Sequence, residues 1–306
     1  MTFKKVLLFL VKLVISSLSL YIVLSKNDIS HMMAMLRSIG PPAFFAASGL
    51  YICSLMGATL RWRLLLPWKY PFSRLLSLYM IGSFFSSFLP GVIGGDVVKA
   101  YYLNKDAKKI SITLGSVFMD RYLGYVSLVL IGIIAFPFSL RFFGESPYRW
   151  AMPAIFAAFV IGSFLFFGLK LGRRFKTVSE SYDYFGTLGS RPAVIIKAVL
   201  ISGLIQFSGF FAVSILAAAM GVQVPLLTLL VFLPIIITIT SMPISISGLG
   251  VREGAFVVLL GLIGVRPEAA TSLSLSWFFS SFIGSLPGLV AYMRHTSDRA
   301  GPTPEA

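Results

Sequence analysis

Apolar positions fall into six runs, each long enough to cross a bilayer: Val6–Leu24, Phe44–Leu66, Ile112–Phe138, Trp150–Leu171, Val194–Met220 and Ala269–Tyr292. A helix needs about 20 such residues to cross roughly 30 Å of hydrocarbon. The spacing therefore predicts six transmembrane helices. The first run follows Lys4 and Lys5 as a signal peptide would, but Lys12 interrupts it and no small-residue cleavage pattern follows, so it is read as a retained helix.

Two further apolar regions are broken. Leu75–Leu89 and Gly94–Leu103 flank Pro90-Gly91-Val92-Ile93-Gly94-Gly95. Leu226–Ser241 and Val251–Gly264 flank a stretch from Met242 to Gly250 that holds Pro243, Gly248 and Gly250. The longest arm has 16 residues, which at about 1.5 Å per residue is too short to span comfortably. Proline and glycine would leave backbone groups unsatisfied at the break, which lipid tolerates only under cover of protein or water. Both regions are expected to be re-entrant helical hairpins, completing an all-α polytopic fold.

Shifting the chain by 153 residues, half its length, overlays this order of elements on itself. Pro90 meets Pro243, Ile93 meets Ile246, Gly95 meets Gly248, Val98 meets Val251 and Lys99 meets Arg252. Each half (1–149 and 150–306) reads helix, helix, hairpin, helix. Three crossings per half would place the second half upside down, the inverted repeat found in many carriers. A purely structural bundle with an old duplication is the alternative.

Composition agrees with lipid as the solvent. Of 306 residues 57% are hydrophobic and 12% charged, with mean hydropathy +0.88; a soluble domain carries about 25% charged residues. The net charge of +15 sits in short breaks between apolar runs, which points to headgroups rather than nucleic acid. With the N-terminus inside, the inner breaks hold seventeen Lys and Arg, Arg61 among them. The outer breaks hold five: Lys26, Arg37, Arg141, Arg149 and Arg266. Both termini are therefore expected on the cytoplasmic side of a cytoplasmic (inner) membrane. Trp62, Trp68, Tyr70 and Trp150 suit interfacial anchors, Gln206 a helix–helix hydrogen bond, and the serines from Ser272 to Ser285 close helix packing. The basic stretch Lys170–Lys176 reads as a solvated loop that attracts anionic lipid.

Six ionisable residues remain at membrane depth: Asp96, Lys99, Asp120, Arg121, Arg252 and Glu253. An isolated charge there costs at least about 2.5–3.5 kcal/mol, so these groups are expected to converge. Neighbours in sequence point about 100° apart on a helix, so partners should come from other segments. Arg121 with Glu253 and Asp120 with Lys99 both fit. One reading is a lipid-headgroup site, with Lys99, Arg121 and Arg252 on phosphate beside the glycine-rich helix starts Gly94, Gly95, Gly248 and Gly250. The other is a set of structural ion pairs.

Leu89-Pro90-Gly91, Gly94-Gly95-Asp96-Val97-Val98-Lys99, Asp120-Arg121-Tyr122-Leu123-Gly124 and Gly248-Leu249-Gly250-Val251-Arg252-Glu253 together resemble the lysylphosphatidylglycerol synthase transmembrane family. This is the flippase-like domain found at the N-terminus of the multiple peptide resistance factor and in stand-alone proteins. The resemblance covers nearly the whole chain. It implies that Asp96, Lys99, Asp120, Arg121 and Glu253 occupy motif positions. In two-domain relatives the region is associated with translocating aminoacylated phosphatidylglycerol made by a separate synthase domain, which is not expected here. The expected activity is lipid translocation by alternating access, with membrane lipids as partners and no cofactor or metal. Nothing resembles a Walker A motif or a nucleophile constellation. A membrane enzyme acting on a lipid or polyprenyl-phosphate headgroup, and a non-transporting partner of a separate lipid-modifying enzyme, are the alternatives.

Overall fold

A computed structural model describes residues 28–87, 93–242 and 248–297, with 14, 16–18, 21, 25 and 245. The expected helix Val6–Leu24 falls mostly outside the described residues, as do Pro90, Gly91, Pro243 and Ile246. Twelve α-helices, and no strand, are found among the described residues. They are α1 (Ile29–Ser38), α2 (Gly40–Leu65), α3 (Phe72–Ser86), α4 (Ile93–Ala107), α5 (Ile110–Ser139) and α6 (Ala151–Ser163). Then come α7 (Lys176–Gly189), α8 (Pro192–Ala219), α9 (Leu226–Ser241), α10 (Val251–Gly261), α11 (Pro267–Ser285) and α12 (Pro287–Ser297).

Five segments are long and apolar enough to cross a membrane: Gly40–Leu65, Ile110–Phe142, Pro147–Gly168, Pro192–Ala219 and Pro267–Arg294. They coincide with five of the six expected spans. The chain is thus an all-α polytopic membrane protein. Large apolar side chains face outward along these segments, with Leu204 70% exposed and Ile134 66%, because hydrocarbon rather than water is the solvent there.

Local sequence explains where helices start. Prolines open α2, α8 and α11, where a missing N–H costs nothing. Asp28 caps α1 by accepting from the Ser30 and His31 amides at 2.8 and 3.3 Å, and these bonds, with the Ser30 side chain foremost, hold its carboxyl below the usual carboxylate range. Inside α9, Pro234 removes one backbone donor, and the Thr238 hydroxyl bonds the Pro234 carbonyl at 2.7 Å.

The long helices α2 and α8 form the most extensive helix–helix contact and make the centre of the bundle. Around them, α3 packs on α4 and α9 on α10. The packing is also reciprocal: α12 lies on α3, and α5 lies on α9. Helix pairs α3–α4 and α9–α10 thus sit where the sequence predicted broken hairpins, each braced by a helix from the opposite end of the chain. Glycine permits the closest approach. A Cβ on Gly95 would run into the Gly82 carbonyl oxygen and the Ser86 hydroxyl, so α3 and α4 cross with backbones in contact.

Candidate functional site

Five of the deep charges gather from α2, α4 and α5, with Tyr79 of α3 among them. Asp96 lies in the first turn of α4, where the helix dipole favours a carboxylate, and Lys99 stands one turn on. Asp120 and Arg121 are neighbours on α5 and point to different partners, as helical geometry requires. Asp120 is fully buried and is the hub. Its Oδ1 accepts from Arg61 Nε at 2.8 Å. Its Oδ2 accepts from the Tyr79 hydroxyl at 2.8 Å and Lys99 Nζ at 3.2 Å. Asp96 receives Arg121 in bidentate fashion, Nε at 2.7 Å and Nη2 at 3.1 Å, with Lys99 Nζ 3.5 Å away.

Lys99 is held on its other flank by aromatic faces. Its ammonium lies 4.0 Å from the Tyr79 ring centroid and 4.5 Å from that of Trp62, a cation–π arrangement that is strongest where water is excluded. Trp62 in turn donates its indole N–H to Ser116 at 3.2 Å. The sequence reading of Trp62 as an interfacial anchor is corrected: the ring is completely buried and roofs the charge cluster.

Arg61 requires a second correction. Counted among the solvated inner charges, it is 5% exposed and reaches both Asp120 and Ser202 Oγ, the latter at 2.9 Å. Ser202 belongs to α8, so this arginine ties the two central helices to the site. Gly124 makes room for it, since a Cβ there would sit 2.7 Å from Arg61 Nη1. The glycine of the Asp120–Gly124 motif thus has a steric reason. Gln206 Nε2 donates to the Gly124 carbonyl at 3.1 Å. A clue to Arg61 lay in the sequence: it falls within the Phe44–Leu66 run, and a buried acid such as Asp120 needs a cation from another element.

With three cations (Arg61, Lys99, Arg121) and two carboxylates (Asp96, Asp120), the cluster carries a formal +1. Only Arg121 reaches out. Its side chain is 45% exposed against 11% or less for the other four. The hydrogen bonds to Asp96 use Nε and Nη2, and among the described residues Nη1 makes none. Gly94, half-buried, lies in the same first turn of α4.

The second pair of helices holds a separate group. Arg252 and Glu253 bond each other, although adjacent in sequence. Glu253 Oε1 accepts from Arg252 Nη2 at 2.7 Å and from Ser274 Oγ at 2.9 Å, while Oε2 accepts from the Gly250 amide at 2.6 Å. The expected Arg121–Glu253 pair is therefore not formed, and the requirement for a partner from another segment fails here. The reason is local: the carboxylate folds back to cap its own helix start, which brings it within reach of the long Arg252 side chain. Arg252 also lies 4.8 Å over the Phe278 ring. Among the described residues, no hydrogen bond or ion pair joins this group to the first. Ser274 is the one serine of its helix that serves a charged group; Ser276 bonds the carbonyl one turn back, as expected for packing.

Gly248 and Gly250 adopt φ of +78° and +80°. Gly250, with ψ −50°, occupies a conformation that costs a residue with a Cβ about 1–3 kcal/mol. Gly250→Ala is therefore expected to lower the unfolding free energy of the purified protein by that amount and to unseat the Glu253 cap. Denaturant unfolding in detergent measures it, and an unchanged stability would contradict this account of the turn.

A protein family described as the lysylphosphatidylglycerol synthase TM region matches residues 9–288. A UPF0104 membrane protein from Methanothermobacter thermautotrophicus is similar, with 23% identity in an alignment that covers 76% of this chain and 78% of that protein. No solved structure matches.

Proposed function

The chain belongs to the lysylphosphatidylglycerol synthase transmembrane-region family, and from that premise we propose that it is a lipid translocase. It would carry a phospholipid, anionic or aminoacylated, across the cytoplasmic membrane by alternating access. One observation carries the reading: a five-charge cluster of net +1 buries four of its members and leaves one guanidinium, Arg121, half-exposed. A structural ion-pair set would bury all its members and balance them. This one is open and short of one negative charge.

In this reading a lipid phosphate approaches the free Nη1 edge of Arg121 and competes with Asp96 for the rest of the guanidinium. Arginine suits the exchange because its planar fork fits either oxyanion in bidentate fashion. Asp96, once released, keeps a cationic partner in Lys99, 3.5 Å away, so no buried charge is stranded during the exchange. The headgroup travels through protein while acyl chains stay in lipid.

The helix pairs support a two-sided mechanism. With 15 residues each, α3 and α4 are about 22 Å long, shorter than the hydrocarbon. We read α3–α4 and α9–α10 as re-entrant pairs entering from opposite faces of an inverted repeat, with both termini cytoplasmic. The reciprocal bracing of each pair by a helix from the other half supports that reading, because rocking one half would move the opposite pair.

The test is reconstitution into liposomes with labelled anionic and aminoacylated lipids. Arg121→Gln is the informative variant: its side chain is partly exposed, so the protein is expected to fold, while translocation falls at least about tenfold, the loss of roughly one charge-assisted bond. Asp96→Ala and Glu253→Ala, checked for folding by size exclusion, extend the series. Equal translocation by wild type and a folded Arg121→Gln would overturn the proposed site.

A further inference from the structure

A second charged feature lies outside the buried cluster, at the far end of α4. Lys105, Lys108 and Lys109 occupy the end of α4 and the turn into α5, and all three are exposed. Lys170, Arg173 and Arg174 lie between α6 and α7 and Lys176 is the first residue of α7, all again exposed. Ser181 Oγ, five residues past Lys176, donates to the Ser111 carbonyl, two residues past Lys109, at 3.0 Å. One buried contact therefore ties together the stretches of chain that follow the two basic segments. The acidic residue in the first segment, Asp106, is already engaged by Arg74 at 3.0 Å.

These turns are built rather than loose. The Tyr182 hydroxyl donates to the Phe166 carbonyl at 2.8 Å and accepts from the Gly172 amide at 3.3 Å, pinning the second segment from beneath. Tyr184 donates to the Leu65 carbonyl at 2.7 Å, pinning α7 to the end of α2. Leu169, Leu171 and Phe175 alternate with the basic residues and are more than half exposed.

Backbone conformation adds an independent observation. Among the described residues, two that are not glycine have positive φ: Lys108 at 52° and Lys170 at 50°. One lies in each basic segment. A left-handed conformation crowds the Cβ of an L-residue against the backbone, and glycine or asparagine fills it more easily. A lysine at both positions keeps a charge where the backbone would favour another residue.

We infer that these two turns form a surface site for anionic lipid headgroups, distinct from the buried cluster. The occupant is a membrane surface rather than an acidic protein. The exposed Leu169, Leu171 and Phe175 would enter the acyl boundary beside the cations, whereas a soluble acidic partner would leave them wet. The site also stands on the helix that carries Asp96 and Lys99. Nine residues separate Lys99 from Lys108, about 13 Å along the axis, so a captured headgroup rests a short step from the buried cluster.

The experiment uses the full chain in nanodiscs of phosphatidylcholine mixed with phosphatidylglycerol, reading the lipids retained by native mass spectrometry. Wild type is expected to retain phosphatidylglycerol preferentially, and the preference to fall with added salt. Lys108→Asn with Lys170→Asn removes two charges while easing both backbones. Each charge contributes about fivefold at an anionic surface, so the double variant is expected to lose at least about tenfold of the preference, with a melting temperature equal to or above wild type. The preference is read from bound lipid and needs no transport, so the double variant is expected to lose it whether or not wild type translocates lipid in liposomes, and failure of this site and failure of the translocation reading are distinguishable. An unchanged preference in the double variant, a lower melting temperature for it, or binding of acidic soluble protein without lipid preference would each overturn the inference.

Discussion

Asp120→Ala is expected to destabilise the folded chain by roughly 3–5 kcal/mol, the usual cost of removing one partner from a buried ion pair. The carboxylate sits at 0% exposure and accepts three hydrogen bonds, from Arg61, Tyr79 and Lys99. Without it, Arg61 keeps only Ser202, and Lys99 keeps a longer contact with Asp96 at 3.5 Å. Two cations would face two aromatic rings and one remaining acid. Asn at this position preserves shape but not charge, so Asp120→Asn is expected to recover less than half of the loss. Adding Lys99→Met to Asp120→Ala removes one stranded cation and is expected to restore about 1–3 kcal/mol, a coupling typical of contacting residues. Denaturant unfolding in detergent, followed by tryptophan fluorescence, reads all three, since Trp62 lies against Lys99. A loss below about 1 kcal/mol for Asp120→Ala would mean that water reaches the cluster freely and that these charges are not buried.

The second large effect is expected at Gly95. An added methyl group would overlap the Gly82 carbonyl oxygen and the Ser86 hydroxyl. The obstacle is backbone, which cannot swing aside as a side chain does. Gly95→Ala should therefore push α3 from α4, at a cost of about 1–3 kcal/mol or more. Asp96 and Lys99 ride on α4, so the displacement also lengthens the Asp96–Arg121 and Lys99–Asp120 contacts. Translocation should fall together with stability. Gly82→Ala gives a graded comparison: its Cβ would meet the Gly95 carbonyl oxygen at 2.8 Å and Lys99 Cβ at 3.3 Å, a milder overlap. Wild-type melting temperature in Gly95→Ala would refute the close crossing of the two helices.

Both effects depend on geometry that was only partly readable from the chain. Periodicity and length located five spans to within a few residues, because a bilayer imposes a minimum length on apolar helices. The broken arms were legible as short helices, because proline and glycine interrupt apolar runs for reasons internal to the backbone. The set of deep charges was also legible in outline. Asp96, Lys99, Asp120 and Arg121 do converge, since an uncompensated charge in hydrocarbon is too costly to stand alone.

Partner choice was not legible. By its place near the end of an apolar run Arg61 reads as a solvated charge, yet the packing of α2 against α5 and α8 turns it inward. Arg252 and Glu253 were expected to part company, yet a helix cap at Gly250 brings them together. Trp62 carried the composition of an interfacial residue and became the roof of a buried ammonium. Residues near one another along the chain suffice to make it helical and membrane-embedded, to interrupt its helices and to leave deep charges in need of partners. Which of those charges meet, and which stays open, follows from packing between distant segments. Helix formation and membrane insertion depend on residues near in sequence, whereas the balance of a buried charge depends on groups 59 and 141 positions away, such as Asp120 and Ser202 around Arg61.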